Sequence, residues 1–271
     1  MKTCFALILL LTSFCTVAAS TIELEDGFVE YEIKGNGDIP VLFDAGAVSG
    51  MAGWDAIWQD LPEGITALRF SRQGEGNSDS CEGQRSAADY VDEVAQLLSA
   101  LQIKTPIVYV SHSFGGITAR NFAAAHTSEI AALLMVDPAN PRDVEIVTQL
   151  NPEDGHLEVS NVKENDYKMG AGTWCFLDVV WDKSDSVGYA EIGDIPVTLI
   201  AGTRAETSPS HTLETQRGRA LWGKYQSEWV NQFPRGKAVL APHSGHMVQD
   251  DQPALVLNEL VKLLNRLENV N

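Results

Sequence analysis

Val108-Tyr109-Val110-Ser111-His112-Ser113-Phe114-Gly115-Gly116 is an apolar run that passes at once into a serine with small residues two before it (Ser111) and two after it (Gly115). A helical pattern over 116–126 follows without a linker. Where a strand turns into a helix this abruptly, positions −2 and +2 lie against the backbone of both elements and must be small. The same turn lifts the Ser113 hydroxyl clear of the sheet, at the positive end of the helix. The segment is therefore predicted to be a nucleophile elbow.

Outward from this turn, strand-like and helix-like stretches alternate. Residues 28–33, 40–43, 67–70, 106–110 and 131–136 read as strands. Ser86 is a good N-cap for a helix whose stripe is Ala87, Val91, Val94, Leu98 and Leu101. Residues 138–194 break the rhythm with Pro, Gly, Asn and acidic residues around short apolar patches. The alternation then resumes with a strand at 196–201, a helix at 215–232, a strand at 237–240 and a last helix from Pro253 to about Leu267. Strands apolar on both faces and separated by helices imply an α/β fold: a mainly parallel, doubly wound sheet flanked by helices. One domain over 20–271, with a cap insertion at about 138–194, accounts for the pattern.

The 271 residues are 44% hydrophobic and 21% charged, a globular composition. Lys plus Arg number 19 against 37 Asp plus Glu, a formal charge of −18. No clustered basic face is present to neutralise a phosphate backbone, so nucleic acid is not expected as a partner. The acidic balance also disfavours docking on anionic lipid, which leaves a small-molecule acyl substrate as the expected partner. The first residues, MKTCFALILLLTSFCTVAAS, have one Lys, no acid, a short apolar run and small side chains at Val17 and Ala19. They read as a signal peptide over 1–19, too short in apolar length to span a membrane. A secreted or periplasmic location is expected, with no stable membrane insertion after cleavage. Loss of Cys4 and Cys15 with that segment leaves Cys81 and Cys175 in an oxidising compartment, where a single disulfide is expected.

Three further segments carry a resemblance to the α/β-hydrolase family, and it covers nearly all of the chain after the leader. Val41-Leu42-Phe43-Asp44-Ala45-Gly46-Ala47 resembles the family's first oxyanion-loop strand, with Ala45 in place of the usual His. The segment 70–79 is similar to the family's Asp-Arg-x-Gly-x-Gly-x-Ser, with Ser71 replacing the Asp. The segment 244–253 is similar to its Gly-His loop before the last helix.

The resemblance implies covalent serine catalysis. A serine hydroxyl is a weak nucleophile at neutral pH, so a base must take its proton and later return it to the leaving group. His246, in the Gly-His loop, is the expected base in preference to His112, His211 and His243. The acid is Asp137, directly after the strand at 131–136, or Glu206, beyond the strand at 196–201. Either keeps the family's chain order Ser, acid, His. A rigid carrier favours Asp137, since the acid must hold the imidazole in one tautomer. The oxyanion hole is expected from the backbone N–H groups of Ala47 and Phe114.

No cofactor or metal is expected: His243-x-x-His246 has no third ligand grouped with it, and Gly74-x-Gly76 lacks a third glycine. The six tryptophans are expected mainly in the core. The function predicted is a secreted serine hydrolase of a small carboxylic ester or related acyl compound. The rival readings are a ligand-binding protein of the same fold, or an acyltransferase or perhydrolase using the same triad. The oligomeric state is not readable.

Overall fold

The computed structural model describes residues 19–182 and 192–268. The expected leader, apart from Ala19, and part of the expected cap, 183–191, lie outside the described residues. Eight strands form one sheet: β1 (Ser20–Leu24), β2 (Gly27–Lys34), β3 (Ile39–Asp44), β4 (Ile65–Ser71), β5 (Ile107–His112), β6 (Ile130–Val136), β7 (Val197–Gly202) and β8 (Gly236–Ala241). Their order is β1-β2-β4-β3-β5-β6-β7-β8. β1 and β2 pair antiparallel, as do β2 and β4, and every later ladder is parallel. β1, absent from the sequence reading, is a five-residue edge strand with no buried residue of its own.

The helices are α1 (Asp55–Trp58), α2 (Ala87–Ala100), α3 (Gly115–Ala125), α4 (Asp143–Leu150), α5 (Gly155–Met169), α6 (Leu177–Asp182), α7 (Gln216–Val230), α8 (Val248–Asp251) and α9 (Pro253–Glu268). Ser86 caps α2 as expected: its hydroxyl accepts from the Asp89 N–H while Asp89 accepts from the Ser86 N–H. Thr215, expected to open the helix of 215–232, caps α7 instead, its hydroxyl accepting from the Gly218 N–H at 3.0 Å.

Central strands alternate, but both faces are buried. On one face Tyr109 of β5 and Leu133 and Met135 of β6 pack under Val94 and Leu97 of α2, Phe122 of α3 and Trp229 of α7. On the other, Val108, Val110, Leu134 and Val136 meet Trp54, Ile57 and Trp58, and Val256, Leu260 and Leu263 of α9. Helices thus cover both faces, as a parallel sheet requires.

The ladder between β5 and β6 pairs Ser111 with Met135 and His112 with Val136. Ser113 and Asp137 are the next residues of the two neighbouring strands. Each leaves its strand with positive φ, 49° at Ser113 and 40° at Asp137.

Candidate active site

Positive φ at a serine is strained, and the surroundings enforce it. The Ser113 N–H donates to the Val136 carbonyl and the Gly115 N–H to the Ala45 carbonyl, which folds α3 back over the end of β3. A Cβ at Gly115 would lie 2.6 Å from the Asp44 carbonyl oxygen. Ser111 is fully buried. Both small residues that flag the turn in sequence are small for a steric reason.

His246 Nε2 lies 2.9 Å from Ser113 Oγ, and His246 Nδ1 lies 2.7 Å from Asp137 Oδ2. The loop that carries His246 is tied on both sides: the Gly245 N–H donates to Asp251 Oδ2 at 2.8 Å, and Ser244 Oγ to Gln252 Oε1 at 2.8 Å. Beneath it, the ring of His112 lies 4.7 Å from that of His246. Burial, followed by the nearness of His246, pushes the His112 pKa down to about 3, so the ring is neutral. Its Nε2–H then donates to the His246 carbonyl at 3.1 Å.

Asp137 is wholly buried and receives four donors. Oδ1 accepts from Trp222 Nε1 at 2.6 Å and from the Gly202 N–H at 2.9 Å, and Oδ2 accepts from His246 and from Arg219 Nη2 at 3.2 Å. Burial alone would raise its pKa, but His246, Arg219 and Trp222 together hold it below the usual carboxylate range. Glu206 is exposed, its N–H bonds the Glu214 carbonyl, and its carboxylate sits beside Gly245. Of the two acids left open by the sequence, Asp137 is the one that reaches His246. Arg219, Trp222 and Gln226, whose amide donates to the Pro138 carbonyl at 2.6 Å, line one face of α7. The sequence reading gave Arg219 and Gln226 no role and took Trp222 only as one of six tryptophans expected mainly in the core, although their i, i+3, i+7 spacing marks a single helix face.

The N–H groups of Ala47 and Phe114, expected as oxyanion donors, have no protein acceptor among the described residues. A buried network supports the Ala47 loop. Arg72 binds Asp44, the Ala45 carbonyl and both oxygens of Glu75, while Glu75 Oε1 also accepts the Val48 N–H at 3.0 Å. Tyr109 donates to Asp44 Oδ2 at 2.9 Å, and the Arg72 guanidinium lies 4.9 Å from the centre of the Phe114 ring. Burial raises the Asp44 and Glu75 carboxyls, with Arg72 opposing it. A Cβ at Gly46 would meet His112 Nδ1 at 2.7 Å.

Phe114, the residue after Ser113, belongs to an aromatic cluster. Phe114 packs on Tyr90 and Phe176, and Phe176 stacks on Trp174. Cys81 and Cys175 are bonded, with Cα atoms 6.4 Å apart, and the Arg85 N–H donates to the Cys175 carbonyl at 2.7 Å. The bridge ties the stretch after β4 to the segment leading into α6. A cavity of about 190 Å³ lies between α4 and α5, walled by Val147, Val159, Val162, Trp181 and Leu213. Trp54 and Trp58 are core, as expected of tryptophan, whereas Trp222 serves Asp137. His243 contributes its backbone carbonyl to Arg204. Among the described residues no group of three or more His, Cys, Asp or Glu is placed to hold a metal, and no helix among them is long and apolar enough to cross a membrane.

A sequence model described as "Alpha/beta hydrolase family" matches residues 41–259. Among curated relatives, the chain is 28% identical over 106 residues to an uncharacterized protein, YqjL, of Bacillus subtilis, covering 39% of this chain and 42% of that one. It is 32% identical over 132 residues to lipase LipV of Mycobacterium tuberculosis, covering 46% and 47%. To a non-heme chloroperoxidase of Streptomyces lividans it is 30% identical over 143 residues, covering 51% of each. The chain thus spans about half the length of these relatives, or less. Solved structures align along its length: an esterase from Thermogutta terrifontis at TM-score 0.66 and 18% identity, covering 92% of this chain and 99% of that one, and a hydrolase from Pseudomonas aeruginosa at TM-score 0.68, with the same identity and coverage.

Proposed function

The chain belongs to the alpha/beta hydrolase family, and from that premise we propose that it is a serine hydrolase that cleaves a small carboxylic ester or related acyl compound through an acyl-enzyme on Ser113. The observation that carries this reading is the run of two hydrogen bonds from Ser113 Oγ to His246 Nε2, at 2.9 Å, and from His246 Nδ1 to Asp137 Oδ2, at 2.7 Å.

In this reading His246 Nε2 takes the Ser113 proton as Oγ bonds to the acyl carbon, and the carbonyl oxygen gains the negative charge. The Ala47 and Phe114 N–H groups receive that charge, each such donor being worth about 3–4 kcal/mol in comparable sites. Collapse expels the alkoxide, which leaves with the proton held by His246. Water then enters, gives its proton to His246, and releases the acid as Ser113 recovers its own. Asp137 stays ionised and fixes the imidazole tautomer. The expected cap insertion would set substrate choice, which the disulfide at Cys175 and the packing of Phe176 on Phe114, next to Ser113, support. A leader over 1–19 and a bridge that persists in oxidising compartments support secretion or a periplasmic location.

The relative named as a non-heme chloroperoxidase favours a second reading for the last step, in which peroxide rather than water accepts the acyl group from Ser113. A fluorophosphonate probe tests the primary reading. Wild-type protein is expected to be labelled on Ser113, with label lost in Ser113→Ala and His246→Ala. Undiminished labelling of Ser113→Ala would remove the nucleophile assignment.

A further inference from the structure

Arg219 is 6% exposed and shares an oxygen with the base of the site. Its Nη2 lies 3.2 Å from Asp137 Oδ2, which is also the acceptor of His246 Nδ1. The same nitrogen donates to the Gly202 carbonyl. Orienting Asp137 does not need a cation, because Trp222 and the Gly202 N–H already hold Oδ1. A guanidinium there changes the charge seen by the imidazole, and Arg keeps that charge at any working pH.

We propose that Arg219 is a positioning residue that sets the basicity of His246, by offsetting the Asp137 charge on the oxygen that the imidazole bonds. This rests on the triad reading above. A buried carboxylate beside an imidazole favours the imidazolium and raises its pKa by about 1–3 units, and a cation on the same oxygen opposes that rise. From β5, His112 faces His246 as a neutral ring. On the base loop, Asp251 Oδ2 is occupied by the Gly245 N–H and by Arg204 at 3.0 Å. Glu206 flanks Gly245 from the stretch after β7, and Asp250 stands at the end of the loop. Arg204 pairs with Asp251 on the exposed side, whereas Arg219 meets Asp137 on the buried side, where screening is weakest.

The test compares wild type with Arg219→Met and Arg219→Lys. Two quantities are read: the acid limb of kcat/KM against pH, and the NMR titration of His246, which needs no turnover. Arg219→Met is expected to move both upward by about one pH unit, and Arg219→Lys to leave them within a few tenths. Arg219→Gln, which keeps a donor at lower bulk, carries the same expectation as Arg219→Met if the latter does not fold. An unmoved titration in the neutral variants, or a shift in Arg219→Lys equal to theirs, overturns the proposal. Probe labelling of Ser113 separates this from the triad reading: label with an unmoved titration sinks Arg219 alone, whereas loss of the triad reading shows as absent label in wild type.

Discussion

His112 Nε2 lies 3.1 Å from the backbone carbonyl of His246, so the residue before Ser113 supports the loop that carries its base. That bond favours a charged ring, but burial outweighs it and the folded protein holds the His112 pKa down to about 3, from an ordinary 6.5.

A dependence of stability on pH follows. Between about pH 6.5 and 3 the unfolded chain binds a proton at this ring that the folded chain does not, so stability falls on acidification through that window. The slope from this group is up to about 1.4 kcal/mol per pH unit. Urea unfolding of wild type and His112→Leu at a series of pH values is expected to show the shallower slope in the variant. Parallel slopes would mean that the folded ring protonates freely.

Asp137→Asn keeps the shape of the acid and removes its charge. In related triads the wrong tautomer that results costs about 10⁴ in kcat, and a loss of 10³–10⁴ is expected here, against little change for Glu206→Gln. Ester hydrolysis by the two purified variants decides it, and the reverse ranking would transfer the role to Glu206.

Arg72 is the cation between two buried carboxylates, Asp44 and Glu75. Arg72→Met leaves both without it, which in comparable buried pairs costs about 3–5 kcal/mol. Arg142, exposed and paired with Glu145 and Glu228, is the control: Arg142→Met is expected to cost about 1 kcal/mol or less. Chemical denaturation measures both, and similar losses in the two variants would contradict the distinction.

The Cys81–Cys175 bridge spans a sequence separation of 94. On the chain-entropy model a loop of that size contributes at most about 4–5 kcal/mol, and engineered cases usually less. The double variant Cys81→Ser, Cys175→Ser is expected to unfold at lower urea and to be clipped by protease first between residues 150 and 182, the stretch that the bridge ties down just before α6. An unchanged urea midpoint would rule out a stabilising role.

The fold was legible because its strands are apolar on both faces and its helices striped. The elbow was legible because steric demand at Ser111 and Gly115 is written in residue size. The choice between Asp137 and Glu206 was not readable from spacing, since both follow a strand; it took the β5–β6 ladder to set Asp137 beside Ser113. Arg219 and Trp222 stayed hidden for another reason. Periodicity marks the buried face of a helix but does not say that a buried Arg meets a carboxylate 82 residues away. β1 was missed because a short, half-exposed edge strand has little apolar pattern to read.

Ser113 and Asp137 each follow the last rung of one ladder, that between β5 and β6. Residues 205–211, past β7, supply neither partner of that pair nor His246. Insertions or deletions there can accumulate between related chains without displacing a reacting atom. A single deletion within β6 would instead turn the carboxylate to the opposite face of the sheet. Length variation is therefore expected to concentrate after β7 and to be absent from β6, so the two stretches differ in how freely their lengths can evolve.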